Sequence, residues 1–425
     1  MQTNLLTRKF KLGLSAALCA LVLAACGGGS DDAPTVPAAP TVPATPTAPV
    51  APTVPAAPTV PVVFPVSAAP AKLSAWNAVR SDGSTLSHDA TVVPYDLSSA
   101  LFTDYALKLR GIYVPAGKQI TYTTTGTLDF PVGTAIFKTF YFPKAKGTDA
   151  TLVPVGKATT SPQGSTIDLA KHLLVETRII VREANGKWTG TTYLWDADQK
   201  DASLNTSGKY VEMELISTTG APEPFTYVVP NAQTCQKCHA TETGGGGEVL
   251  PIGPKVRNMN KDYEYSSGVK ANQITQLNDL KLLAGFTSLT GAPSNVDWTD
   301  ATKPIGDRAK AYLDVNCAHC HNGKGNASQS GLKLTHEDIG SAATSLWGVC
   351  KKPLAYSLTA PGYKYDVNPG SPQTSILLYR LNTTLTGDIM PVVGRQTIHA
   401  EATSMLADWI RQLTSAPSSL AACPP

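Results

Sequence analysis

The chain has 425 residues and carries 35 Lys and Arg against 32 Asp and Glu, a formal net charge of only +3. Both signs are mixed along its length and no basic block of useful size occurs, which argues against a nucleic-acid partner.

Residues 1–26 begin with Arg8, Lys9 and Lys11, run through an apolar stretch from Leu12 to Ala25 and end at Cys26. That stretch is too short to span a bilayer comfortably and has the layout of an export signal. Ala24 and Ala25 directly before Cys26 resemble the bacterial lipoprotein signal, in which the cysteine is lipidated and becomes the new N-terminus. The alternative is a plain secretory signal with an incidental cysteine. Gly27, standing where an aspartate would otherwise follow, resembles lipoproteins sorted to the outer membrane. The expected location is therefore extracytoplasmic and lipid-anchored, at the outer membrane of a Gram-negative bacterium, facing the periplasm or the cell surface.

Residues 27–70 hold the loose repeat "APTVPAAPTVPATPTAPVAPTVPAAPTVP" (33 to 61). Proline fixes φ and donates no hydrogen bond, so this run cannot join a core and favours extended polyproline II. At about 3.1 Å per residue it forms a tether on the order of 100 Å. Roughly 355 residues remain beyond it, enough for two domains.

Residues 71–230 are rich in Thr, Val, Tyr and Phe in short alternating runs, among them "KQITYTTTGTLDF" (118 to 130), "AIFKTFYFP" (135 to 143) and "LLVETRIIVRE" (173 to 183). Such alternation, bounded by Gly, Pro and Asp, predicts an antiparallel sandwich-like β domain. After Asn231 the texture shifts, with helices expected over 272–284, 305–316 and 402–413, the last from its 3.6-residue apolar period. The predicted class is α+β, the β-rich domain being followed by a mainly α-helical region. That region divides into a segment 231–302 and a domain 303–425.

Of the eight cysteines, Cys19 leaves with the signal and Cys26 is spent on lipid. Four of the rest form "CQKCH" (235 to 239) and "CAHCH" (317 to 321). Two thiols separated by two residues can each bond one vinyl group of a haem, and the following His then stands beneath the iron. The spacing predicts two covalently bound haem c groups, held by Cys235, Cys238 and His239 and by Cys317, Cys320 and His321. A Cys₄ zinc site built from the four thiols leaves both histidines without a role, and a redox disulfide lacks its βαβ context. Cys350 and Cys423 can pair in an oxidising compartment.

Around His321 the order helix, C-x-x-C-H, long loop, Met390-Pro391 and closing helix follows that of a class I cytochrome c. Met390 is the expected second iron ligand, a thioether opposite an imidazole that raises the potential and closes the site; His399 competes. For His239 the candidates are Met259, only 20 residues on, and His88, His172 and Met213 from the β-rich domain. An open, five-coordinate iron is the remaining option. His319 lies inside an attachment loop and His336 reads as a surface residue.

Several longer stretches, "PYDLSSALFTDYALKLR" (94 to 110), "YVVPNAQTCQKCH" (227 to 239), "PIGPKVRN" (251 to 258), "AKAYLDVNCAHCHN" (309 to 322) and "IMPVVGRQTIHAEATSMLADWI" (389 to 410), resemble a family of bacterial diheme c-type cytochromes with a β-rich N-terminal region. The resemblance implies two covalent haems and electron transfer, with no firm substrate. The family usually has Leu at the position of Met259, which counts against that residue as a ligand. The expected function is a membrane-anchored electron carrier that serves a redox partner protein. A diheme peroxidase or the haem subunit of a periplasmic dehydrogenase is the enzymatic alternative, and a polymer-binding β domain a third.

Overall fold

The computed structural model describes residues 68–243, 247–265, 268–356, 363–415 and 419–424. The export signal, Cys26 and nearly all of the proline-rich tether lie outside the described residues. No helix among the described residues is long and apolar enough to cross a membrane.

The strands run in chain order as β1 (Val79–Ser81), β2 (Thr85–His88), β3 (Val92–Tyr95), β4 (Leu107–Tyr113), β5 (Ile120–Thr121), β6 (Ala135–Pro143) and β7 (Val153–Gly156). They continue as β8 (Thr166–Asp168), β9 (His172–Arg182), β10 (Trp188–Trp195), β11 (Ala202–Asn205), β12 (Lys209–Ile216) and β13 (Glu223–Val229). The central sheet has the order β11-β10-β9-β6-β4-β3, with every neighbouring pair antiparallel. Two smaller sheets, β1-β2-β8 and β13-β12-β7, complete this part, and β7 joins β12 in parallel, a departure from the all-antiparallel expectation.

Period-two alternation gives the central sheet two buried faces. On one face Leu107, Leu109, Phe137, Ile179 and Tyr193 pack against Trp76, Leu86 and Ile167. On the other face, Ile112 and Ile136 join one apolar cluster at one end. At the opposite end Phe140 and Phe142 meet Met213, Leu215, Phe225 and Tyr227 in another. Between those two clusters the register sets Arg110 opposite Lys138 and Lys138 opposite Arg178.

The remaining elements are α1 (Ala232–His239), α2 (Val256–Met259), β14 (Asp262–Glu264), β15 (Lys270–Asn272), α3 (Gln273–Asp279), β16 (Leu283–Ala284), α4 (Ile305–Asn316), α5 (Ile376–Leu381) and α6 (Ala400–Gln412). Here the predicted class fails. Among the described residues 27% are strand and 19% helix, with six short α-helices, so the part after residue 230 is not a mainly α-helical region. Most of these helices stop before three turns, and tertiary pairing rather than a glycine or proline can end them. The helix expected over 272–284 shows how: α3 stops at Asp279, Lys281 turns left-handed (φ 61), and Leu283–Ala284 pair in parallel with β5.

That pairing carries chain contacts across residue 230. A single cluster contains Tyr95, Ile112, Phe130 and Trp188 together with Val256, Met259, Ile274, Leu277 and Val315. The long periodic stretches did become helices: α4 and α6 bury Ala309, Tyr312 and Leu313 against Ala402, Leu406, Trp409 and Ile410. Cys350 and Cys423 form a disulfide, with Cα atoms 5.2 Å apart, that ties the chain's end to this cluster.

Candidate functional site

Helix α1 is a wall with a cavity on each side. It is capped by Asn231, whose side chain accepts from the Thr234 amide at 2.8 Å, fixing the first turn of the C-x-x-C-H segment. Cys235 and His239, one turn apart on one helix face, line a cavity of about 270 Å³ against the central sheet. Gln233, Lys237 and Cys238 face a larger cavity of about 720 Å³, which Cys317, Cys320 and His321 also line.

The two motifs meet across this wall. The sulfurs of Cys238 and Cys320 and a ring nitrogen of His319 lie within 4.8 Å of one another. A hydrogen bond from Cys320 pulls the Cys238 thiol down and pushes that of Cys320 up. The Asn326 side-chain amide donates to the Lys237 carbonyl at 2.6 Å, and the Thr243 hydroxyl reaches Ser328 Oγ at 2.6 Å, so the loops after each motif are tied together. All four motif cysteines are free thiols, whereas Cys350 and Cys423 are bridged.

Both motif histidines have one ring nitrogen committed. His239 Nδ1–H donates to the Leu250 carbonyl at 2.7 Å. His321 Nδ1 lies 3.2 Å from Ser330 Oγ, whose own proton goes to the Ala327 carbonyl, so the imidazole is again the donor. Burial pulls both rings down to about 4, so each is neutral at physiological pH. A neutral imidazole with Nδ1–H engaged presents an unprotonated Nε2, the form in which His ligates a metal.

The larger cavity also contains Met390, on the loop between α5 and α6. That loop is held by Arg395, a buried guanidinium donating to the carbonyls of Met390 (2.8 Å), Thr397 (2.9 Å), Arg380 (2.9 Å), Leu381 (3.0 Å) and Thr383 (3.1 Å). Asp104, from the segment before β4, accepts the amides of Gln396 and Thr397 at 2.6 and 2.8 Å. Sequence reasoning passed over both. Arg395 had a readable signal, the one Lys or Arg in the loop from Asn382 to His399, five residues beyond Met390.

The other candidate ligands stand elsewhere. His399 stacks on Phe102 with ring centroids 4.0 Å apart, and its Nδ1 lies 3.1 Å from the Tyr312 hydroxyl, outside the lining of either cavity. Met259 and Met213 are fully buried in two different apolar clusters. His88 fills the space left by the absent side chain of Gly111, and His172 bonds the Asp168 carbonyl. His336 is tied by its backbone to Asp314. No second His and no Met appears among the described residues lining the smaller cavity.

The chain matches no family model, no curated protein and no solved structure. Paired free thiols beside a neutral imidazole with one unprotonated nitrogen, at the wall of a cavity, are what a covalently attached haem requires. Cys317, Cys320 and His321 present that set on the larger cavity, and in the first motif Cys235 and His239 line the smaller cavity while Cys238 stands on the other side of α1. Cys238, His319 and Cys320 offer a competing set of three soft donors suited to a zinc ion with one open position.

Proposed function

We propose that the protein is a diheme c-type electron carrier that passes single electrons to a redox partner protein. One observation carries the reading: two C-x-x-C-H motifs with free thiols meet across α1, with Cys235 and His239 on one cavity and Cys317, Cys320 and His321 on the other. When bound, each haem would supply one-electron exchange at iron. The chain's own work is to supply the thiols, to orient His239 and His321 through Nδ1, and to exclude water with the apolar walls. Met390 would close the second position of the His321 site, which suits a carrier better than a catalyst. The close approach of Cys238 and Cys320 supports transfer between the two groups, because the porphyrin edges bonded to them would be neighbours.

The alkaline pyridine haemochrome spectrum of purified protein tests this. Two c-type haems per chain are expected, and one or none rejects the reading. Localisation to the outer membrane through lipidated Cys26 belongs to the same proposal, and Cys26→Ser is expected to release the protein from membranes.

A second reading rests on the cluster of Cys238, His319 and Cys320 within 4.8 Å. These three residues would hold a zinc ion. The readings exclude each other, because thioether formation consumes both thiols. Metal analysis showing about one zinc per chain with no haemochrome would decide for zinc.

A further inference from the structure

Lys138 is at the centre of a row of charge that the carrier reading does not use. Arg110 on β4, Lys138 on β6 and Arg178 on β9 occupy directly opposed positions on three adjacent strands. All three line the smaller cavity, facing Cys235 and His239, and no carboxylate appears among its described lining residues. Like charges directly opposite one another destabilise a sheet, so three in a row require compensation.

The compensation within the structure is incomplete. Asp96 is shared between Arg110 at 2.5 Å and Lys261 at 3.4 Å. Glu176 takes Arg178 at 2.5 Å and also accepts from the Tyr227 hydroxyl at 2.8 Å. Lys138 has no carboxylate within ion-pair distance among the described residues and stands 5.3 Å from the Phe140 ring. The Arg110 side chain is only 3% exposed, and its Nη2 is buried without a hydrogen-bond partner, as is the hydroxyl of Thr191 on the same cavity. A buried charged donor left unpaired is costly, and the donors here converge on one space.

We propose that Arg110, Lys138 and Arg178 form a seat for carboxylate oxygens in the smaller cavity, and that its occupant is the propionate pair of the haem attached at Cys235, Cys238 and His239. The proposal rests on the diheme reading. Two propionates would bring two negative charges to a row in which Arg110 has an orphaned guanidinium nitrogen and Lys138, which burial beside Arg178 and Arg110 pulls down to about 7, has no carboxylate at ion-pair distance among the described residues. Charge-assisted bonds of this kind are stronger than neutral ones. A free inorganic oxyanion offers the same chemistry, and the experiment separates the two sources.

The test uses the full, haem-loaded chain as wild type, Lys138→Met and Lys138→Arg. The haemochrome count is read first: two haems per chain in each variant leaves the carrier reading standing, whereas fewer than two in the wild type sinks that reading itself. Spectroelectrochemistry should then show one midpoint potential moving lower in Lys138→Met, since losing a nearby positive charge favours the oxidised iron. Lys138→Arg should keep it near the wild-type value. The propionate-bending band in resonance Raman should shift in Lys138→Met, a change that a merely structural role would not produce. An unmoved potential and band overturn the proposal. A midpoint potential that shifts on adding inorganic phosphate to wild type but not to Lys138→Met, with the propionate band unmoved between the two, overturns the propionate assignment and gives the seat to a free oxyanion.

Discussion

The two cavities flanking α1 share an attachment motif and differ in nearly everything else. The larger, of about 720 Å³, sets His321 and Met390 on one lining. The smaller, of about 270 Å³, has His239 as its sole His or Met among the described residues and three cations across from it. One is built around a soft second ligand, the other around charge. On the diheme reading proposed above, axial ligand identity and local electrostatics are among the levers by which a protein sets a haem potential, and each cavity would use a different one. The difference teaches that C-x-x-C-H specifies attachment only, while the walls specify behaviour.

The sharpest way to break this comparison is to remove one motif. Cys235→Ser with Cys238→Ser should leave a chain with one haem by the haemochrome count and with the thioether-to-iron band intact. Loss of both haems would show that the wall folds as one unit and that the cavities are not separable. Met390→Ala comes next: it should abolish that band and lower one potential, leaving the other where it was. An unchanged spectrum would remove the soft ligand from the larger cavity. Arg395→Met should reach the same endpoint indirectly, because five carbonyls lose their donor and the loop bearing Met390 loosens. We expect a stability loss of about 3 kcal/mol in chemical denaturation, with the band weakened in the folded protein.

His399 tests whether Met390 has a rival in the larger cavity. Burial pulls His399 down to about 3, below the roughly 6.5 of an unfolded histidine. The unfolded chain therefore binds the extra proton first as pH falls. The stabilising contribution of neutral His399 is fully present above pH 6.5 and is lost progressively as pH drops toward 3. His399→Gln should flatten the fall in stability between pH 6.5 and pH 4.5 by about 3 kcal/mol at most, without touching the haem spectrum. A change in the thioether band would make His399 a ligand after all.

What the sequence revealed, and what it hid, follows from the range of each signal. Local patterns were readable: α4 ran over the predicted 305–316, α6 within a few residues of 402–413, and β6 over "AIFKTFYFP". Both motifs, and the placement of Met390 on the cavity of His321, were legible for the same reason, since spacing along the chain is itself the signal. The helical content of residues 231–425 was misjudged because an apolar run of six or seven residues is ambiguous by periodicity, and tertiary pairing, as with β16 on β5, decides it. The meeting of Cys238 with His319 and Cys320 depends on two loops folding together, which no spacing encodes. Arg110, Lys138 and Arg178 each interrupt a largely apolar strand, "LKLRGIY", "AIFKTFYFP" and "ETRIIVR", and Lys138 is the one cation of its stretch. That anomaly was visible one strand at a time, but their alignment needs the strand register, which emerges only in the sheet.

Met259 gives the smallest expected effect and the cleanest control on the asymmetry. It was the nearest sequence candidate for the second ligand of the His239 site, yet it is fully buried among Val256, Ile274 and Leu277 and does not line that cavity. Met259→Leu conserves volume in a packed core, so it should cost less than about 1.5 kcal/mol and leave both haem spectra as they are. Were the bands of the first haem to change, a thioether would have to reach its iron from the α2 side. The smaller cavity would then be a second soft-ligand site, and its row of cations would no longer be what sets it apart from the larger.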